Sequence, residues 1–279
     1  MKRNAKPLQK GLIRFFLILY SIIVIFPVLW AISTSFKTNQ EFFKDAWALP
    51  EALRFSNYAE AWVVANLGDN FLNSVLLTFS TVILLSLLAA MAGYAATRLA
   101  TKRGSLLTYL FMAGMFVPTI LGVIPTYFVL WKIKLLNSMI GLGLVYLAYG
   151  SPFSVFVVSG FIKTIPHELE ESGLMDGCSY YQIFTRIILP LSRPSLVTVG
   201  IFNFIAFWNE YVFALTYVTD PSKKTLAVGL VSLLSTAQYQ TKWGVLFAGL
   251  TIVMVPTMIV YAIFQNKITG GLTVGALKG

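Results

Sequence analysis

The chain has 279 residues, of which 57% are hydrophobic and only 11% charged, and its mean hydropathy is +0.76. A soluble domain carries roughly 25% charged residues, so this composition excludes an ordinary soluble fold and points to several membrane spans. The net charge of +10 is spread over short segments between apolar runs, which fits topology signals better than a nucleic-acid-binding face.

The single cysteine, Cys178, and single histidine, His167, exclude a disulfide framework and a Cys- or His-based metal site. No G-x-x-x-x-G-K, no strand-borne G-x-G-x-x-G and no G-x-S-x-G occurs. The chain therefore offers no phosphate cradle or nucleophile elbow of its own, and no catalytic residue is assigned.

Residues 1–14 carry Lys2, Arg3, Lys6, Lys10 and Arg14, and an apolar run follows from Phe15 to Ile32. Ala31-Ile32-Ser33 loosely resembles a cleavage site, but the run is longer than a signal core and long enough to span. It reads as an uncleaved first helix. Residues 33–69 are mixed and aromatic, with Trp47, Tyr58 and Trp62, and predict a small ordered lobe at headgroup level.

The second span is expected at 71–97. Its pairs Ser86/Ala90 and Ala89/Gly93 are small residues four apart, which allow close helix approach. The third, 106–131, contains Pro118 and Pro125 and predicts two kinks. The fourth, 139–162, reads as broken at Gly150-Ser151-Pro152. A polar island follows, then a fifth span at 196–218, a loop over 219–244 and a sixth span at 245–264. A glycine-rich tail ends the chain.

Six spans alternate the loops between two sides. One side collects five Lys and Arg before the first span, three over 98–103, three over 163–193 and two in the tail; the other collects three, two and three. The excess places both termini and the polar island in the cytoplasm.

That island holds Glu168, Glu170, Glu171 and Asp176, four of the chain's eleven acids. Pro166 suits a first helical position, and the glutamates then favour the positive end of the helix dipole. Gly177 ends this helix, and Ser179-x-x-Gln182 forms a capping box for a second. Ile183, Phe184, Ile187 and Ile188 fall on one side of it. Docking on a soluble partner and an ordinary solvated loop both fit these residues.

Glu171-Ser172-Gly173-x3-Gly177-x9-Ile187-x-Leu189-Pro190 resembles, spacing for spacing, the EAA loop of ATP-binding-cassette (ABC) importer permeases, in which Glu-Ala-Ala precedes the glycine. Ser172 and Gly173 depart from the alanines but stay small. Leu49-Pro50 through Asn57-Tyr58, Trp208-Asn209-Glu210-Tyr211 and Gly275-Ala276-Leu277-Lys278-Gly279 resemble the carbohydrate branch, the maltose-type (MalG-like) permeases.

The resemblance implies an all-α, six-span membrane protein: an N-terminus at 1–14, a permease domain at 15–264 with a coupling loop at 164–190, and a tail at 265–279. It implies ATPase-coupling residues Glu168, Glu171, Ser172, Gly173, Asp176, Gly177, Ile187, Leu189 and Pro190. It also implies a second permease subunit, two cytoplasmic ATP-binding subunits that hold ATP and Mg, and an extracytoplasmic solute-binding protein. This chain itself would bind no cofactor.

Glu210 is the only ionisable residue inside an expected span. Burying it costs roughly 2.5–3.5 kcal/mol, which makes it a functional candidate. Asn203, Trp208, Asn209 and Tyr211 lie with it as a candidate sugar pathway of aromatic faces and hydrogen-bonding groups. A structural hydrogen bond between helices is the alternative for Glu210. An ion-coupled carrier using Glu210, an ABC importer for a non-sugar solute and a membrane enzyme remain as competing functions. The enzyme has no evident catalytic pair.

Overall fold

The computed structural model describes residues 7–98, 102–240 and 242–276, and all the regular structure among them is helical. Lys2, Arg3 and Lys6 of the basic N-terminus, and Leu277-Lys278-Gly279 of the tail, lie outside the described residues.

Among the described residues, four helices hold segments long and apolar enough to cross a membrane: Gly11–Thr34 in α1 (Pro7–Thr34), α4 (Leu67–Arg98), α7 (Met139–Ile162) and Trp243–Gln265 in α14 (Trp243–Ala276). Two bent segments raise the number to six if each is one span. The first joins α5 (Lys102–Met115) to α6 (Val123–Lys132) through a 3-10 turn at Thr119–Gly122, with a bend of 98°. The second runs from Tyr180–Leu191 into α11 (Arg193–Trp208), with a bend of 68°. α14 carries the helix through the glycine-rich stretch to Ala276.

The chain forms two compact units. The first comprises residues 1–68 and 229–255. In it the ordered lobe expected over 33–69 is present as α2 (Asn39–Lys44) and α3 (Ser56–Val64). α2 opens on a full capping box between Thr38 and Glu41, and that backbone bond from Thr38 holds the Glu41 carboxyl below its ordinary range. Lys37, one of the three bases over 33–69, is buried. Its ammonium donates to the carbonyls of Asp45 (3.1 Å) and Ala46 (3.0 Å). Asn57 Nδ2 donates to the carbonyls of Ser35 (2.8 Å) and Lys37 (2.9 Å), and Lys242 pairs with Glu60 at 2.6 Å.

The second unit comprises residues 69–228 and 256–279 and carries both candidate sites. α4 packs tightly on α7: a Cβ on Gly93 would lie 3.3 Å from the Ser159 amide nitrogen and hydroxyl, and Ala89 and Ala90 are buried. The small-residue pairs therefore do allow close approach.

The two ends of this unit are stapled separately. At one end Asn73 Nδ2 donates to the carbonyls of Ser222 and Lys224 (2.9 and 3.0 Å), and Ser74 Oγ accepts from Leu226 N (2.8 Å). Asn137, at φ 57°, accepts there from Thr219 N and Asp220 N. At the other end the last residues of α4 and α7 meet the polar island. Residues 137 and 219–226 thus meet at one end, and residues 98 and 162–170 at the other.

Four expectations about elements are corrected. The third span has one sharp bend, at Pro118, because Pro125 falls in the first turn of α6, where a missing N–H costs little. The fourth is unbroken: Pro152 cannot bond to the Ala148 carbonyl, but Ser151 Oγ donates to it at 2.9 Å. The fifth does not run through 196–218, because α11 ends at Trp208 and a new helix, α12 (Val212–Tyr217), follows. The 219–244 loop contains α13 (Leu226–Gln240).

Candidate functional site

The polar island folds as a helical hairpin. Its first helix, α8 (Glu168–Met175), begins two residues after Pro166, with Glu168, Glu170 and Glu171 in its first turn. Gly177 at φ +80° ends it. The Gly177 N–H bonds to the Leu174 carbonyl (3.0 Å) and the Cys178 N–H to that of Gly173 (2.9 Å). This paired closure satisfies the last carbonyls and requires a left-handed residue where glycine stands.

Ser179 and Gln182 then make the expected capping box, with Gln182 N to Ser179 Oγ at 3.3 Å and Ser179 N to Gln182 Oε1 at 2.8 Å. The helix so started, α9 (Tyr180–Ile183), continues through a π-helical turn at Phe184–Ile188 into α10 (Leu189–Leu191). Ile183 and Ile188 are fully buried among Ala89, Tyr94, Val155, Val158, Ile162 and Val199, with Phe184 and Ile187 against them.

Helical spacing divides the residues of α8 into two faces. Glu168, Glu171, Ser172, Asp176 and Gly177 are exposed, while Glu170 and Gly173 are buried. Gly173 faces inward: a Cβ there would lie 3.1 Å from Ile187 Cδ1 and 3.4 Å from Ile183 Cγ1. Its small size serves closure of the hairpin. Leu189 and Pro190 are half-buried.

The tip also exposes apolar side chains that the motif does not name. Met175 is 88% exposed, and Leu169, Leu174, Tyr180 and Tyr181 are exposed with it. The apolar members of an otherwise polar segment were the signal for them.

Glu170, expected only as a first-turn acid, turns inward. Its Oε1 lies 2.8 Å from Arg98 Nε, and its Oε2 accepts from Tyr94 OH at 3.3 Å. Arg98 Nη2 donates to the carbonyls of Ile162 (2.8 Å) and Ile165, and Nη1 meets His167 Nε2.

The second place surrounds Glu210, at the break between α11 and α12. Glu210 Oε1 accepts from Phe213 N (2.7 Å). Oε2 accepts from Ala214 N (3.1 Å) and Tyr146 OH (2.9 Å). The carboxylate thus caps α12 and ties it to α7. Stacked rings flank it: Tyr146 on Phe207 (4.9 Å), Tyr149 on Phe213 (4.8 Å) and Phe213 on Tyr217 (5.8 Å). Tyr217 OH donates to the Val123 carbonyl at 2.9 Å.

Of the other expected pathway residues, Trp208 and Asn203 are buried, Asn203 Nδ2 donating to Ser154 Oγ and the Val199 carbonyl (both 2.8 Å). Asn209 and Tyr211 are exposed. The break therefore displays one amide and one phenol and uses the acid between them as a cap.

A multi-pass helical chain with a capped hairpin displayed at one end of its spans has the form of a membrane transport component. Residues 82–272 match the binding-protein-dependent transport system inner membrane component family, and the chain belongs to it. It is a permease subunit, not an enzyme.

Among its relatives is the diacetylchitobiose uptake system permease protein NgcG of Streptomyces coelicolor, 38% identical over 94% of this chain and 87% of that one. Another is the probable starch degradation products transport system permease protein AmyC of Thermoanaerobacterium thermosulfurigenes, 32% identical over 97% of both. A chain of a bacterial ABC transporter involved in the import of alginate shares the fold, with a TM-score of 0.81 at 19% identity over 95% of this chain and 98% of that one.

Proposed function

We propose that the chain translocates a sugar or oligosaccharide across the cytoplasmic membrane as one of two permease subunits of an ATP-driven importer. The bent α5–α6 pair counts as one span and α11 with the break that follows it as another, giving six. Both termini and the 164–190 loop face the cytoplasm, and α8 is the coupling helix. Two ATP-binding subunits hydrolyse ATP, and an extracytoplasmic binding protein delivers the sugar. The spans alternate between outward- and inward-facing states.

The observation that carries this reading is the outer face of α8, where Glu171, Glu168 and Asp176 surround exposed Leu174 and Met175. Such a face fits a groove with an apolar floor and a basic rim. Gly177 and the Ser179 cap fix the turn behind it; Ile187, Leu189 and Pro190 anchor the return helix, and Ser172 keeps the approach close.

The relatives handle diacetylchitobiose and starch degradation products by name, which supports a glycan substrate. Asn209 and Tyr211 are the groups proposed to meet it, with Asn203, Trp208 and Glu210 holding them in place. An ion-coupled carrier is disfavoured because both Glu210 oxygens already serve three donors.

The test is uptake of radiolabelled chito- and malto-oligosaccharides into proteoliposomes holding the complete importer. Uptake driven by ATP without an ion gradient is expected. Uptake that needs a gradient and ignores ATP overturns the proposal, and ATP-driven uptake of a non-sugar solute alone corrects its substrate.

A further inference from the structure

Arg98 stands among the bases that close the second span, yet its side chain is only 3% exposed. It touches three elements at once. As the last residue of α4 it pairs by charge with Glu170 in the first turn of α8, and it donates to the carbonyls of Ile162, the last residue of α7, and Ile165, in the turn that follows. A guanidinium presents its donors as a rigid fork, so the two carbonyl bonds fix where the charge beside Glu170 stands.

The electrostatics favour the same arrangement. A cation lies at the negative ends of two helix dipoles, and an anion lies at the positive end of a third. Tyr94, one turn before Arg98, holds the second oxygen of Glu170, so one face of α4 grips the carboxylate at two points.

We propose that Arg98 and Glu170 are positioning residues: they clamp α8 to α4 and α7, so that displacement of α8 reaches two membrane helices together. Without the clamp, α8 would reach α7 through the turn at 163–167, where Ile165 alone is buried, and through the apolar packing of Gly173 on Ile183 and Ile187. Apolar packing is non-directional, so it fixes the direction of a pull less well than the ion pair. Gly173, three residues after Glu170, seats the same face of α8 against Ile183 and Ile187, which prevents rotation about the ion pair. The clamp rests on the reading of α8 as the coupling helix.

The experiment uses the complete reconstituted importer with Arg98→Lys, Glu170→Gln and the double variant. Three quantities are measured: co-purification of the ATP-binding subunits, ATP hydrolysis with loaded binding protein, and sugar moved per ATP hydrolysed. Assembly and hydrolysis are expected to persist while sugar moved per ATP falls about tenfold, within the range of measured site-to-site couplings. The double variant should be no worse than the poorer single one, because both changes remove one link.

Unchanged sugar per ATP overturns the clamp. Loss of the ATP-binding subunits also overturns it, since the pair would then serve assembly. Glu171→Lys, run in parallel, tests the coupling reading itself: if that variant keeps normal uptake, α8 is not the coupling helix and the clamp falls with it. If only the Arg98 and Glu170 variants behave as wild type, the clamp alone fails.

Discussion

Glu210→Ala removes the acceptor of three hydrogen bonds at a stroke. The two amides it caps, Phe213 and Ala214, open a helix of six residues, and the third donor is the hydroxyl of Tyr146, which is 1% exposed. A buried donor without a partner costs about 1–3 kcal/mol, and loss of an N-cap costs about 1 kcal/mol. The amides lie beside exposed Tyr211 and recover part of this, while buried Tyr146 does not. The net destabilisation is about 1–3 kcal/mol. Glu210→Gln keeps one acceptor oxygen and should lose about half as much, given the greater strength of charge-assisted bonds. The assay is the thermal unfolding midpoint of the purified importer in detergent, with KM and maximal uptake rate measured on the same preparations. Glu210→Ala should lower the midpoint and the maximal rate, and any rise in KM should come only with that lowered midpoint. A raised KM with an unmoved midpoint would refute the reasoning, because the carboxylate would then be a sugar ligand and not a cap.

Glu171→Lys should leave the protein in the membrane, by immunoblot of membrane fractions, and abolish uptake; normal uptake removes the docking role. Gly173→Ala should be tolerated, because Ile187 has only to give by a few tenths of an ångström around a Cβ now 3.1 Å away. Gly173→Leu should open the hairpin and release the ATP-binding subunits on purification, and their retention would contradict the inward placement. A Cβ on Gly244 would lie 2.2 Å from the Lys37 carbonyl. Gly244→Ala should therefore cost about 1–3 kcal/mol by overpacking and speed proteolysis within 33–69. An unchanged digestion pattern would count against that packing.

What the sequence revealed was local. The Ser179 cap and the Gly177 stop depend on residues within one turn, so their types and spacing were enough. Span positions followed from apolar runs. The inner face of α8 was not legible, because its partners Tyr94 and Arg98 lie some seventy positions earlier and no spacing rule connects them. Arg98 was counted with the surface bases because a charge after an apolar run usually marks a membrane boundary. Glu210 was placed mid-helix since the apolar pattern resumes at Val212; Asn-Glu-Tyr together was the sign of a cap. α13 was passed over because Lys223, Lys224 and Lys242 bracket it and drew the reading toward a loop. Gly150-Ser151-Pro152 misled in the opposite direction, since composition does not show which carbonyl a serine hydroxyl will cover.

The continuity of α7 sets a length. It runs as one helix between Tyr146, which holds the Glu210 cap, and Ile162, which Arg98 grips. At 1.5 Å per residue these points are about 24 Å apart along the axis. A helix free to flex at Pro152 would absorb a shift at one end as bending. A continuous one carries a shift at its Arg98 end toward the floor of the Glu210 break.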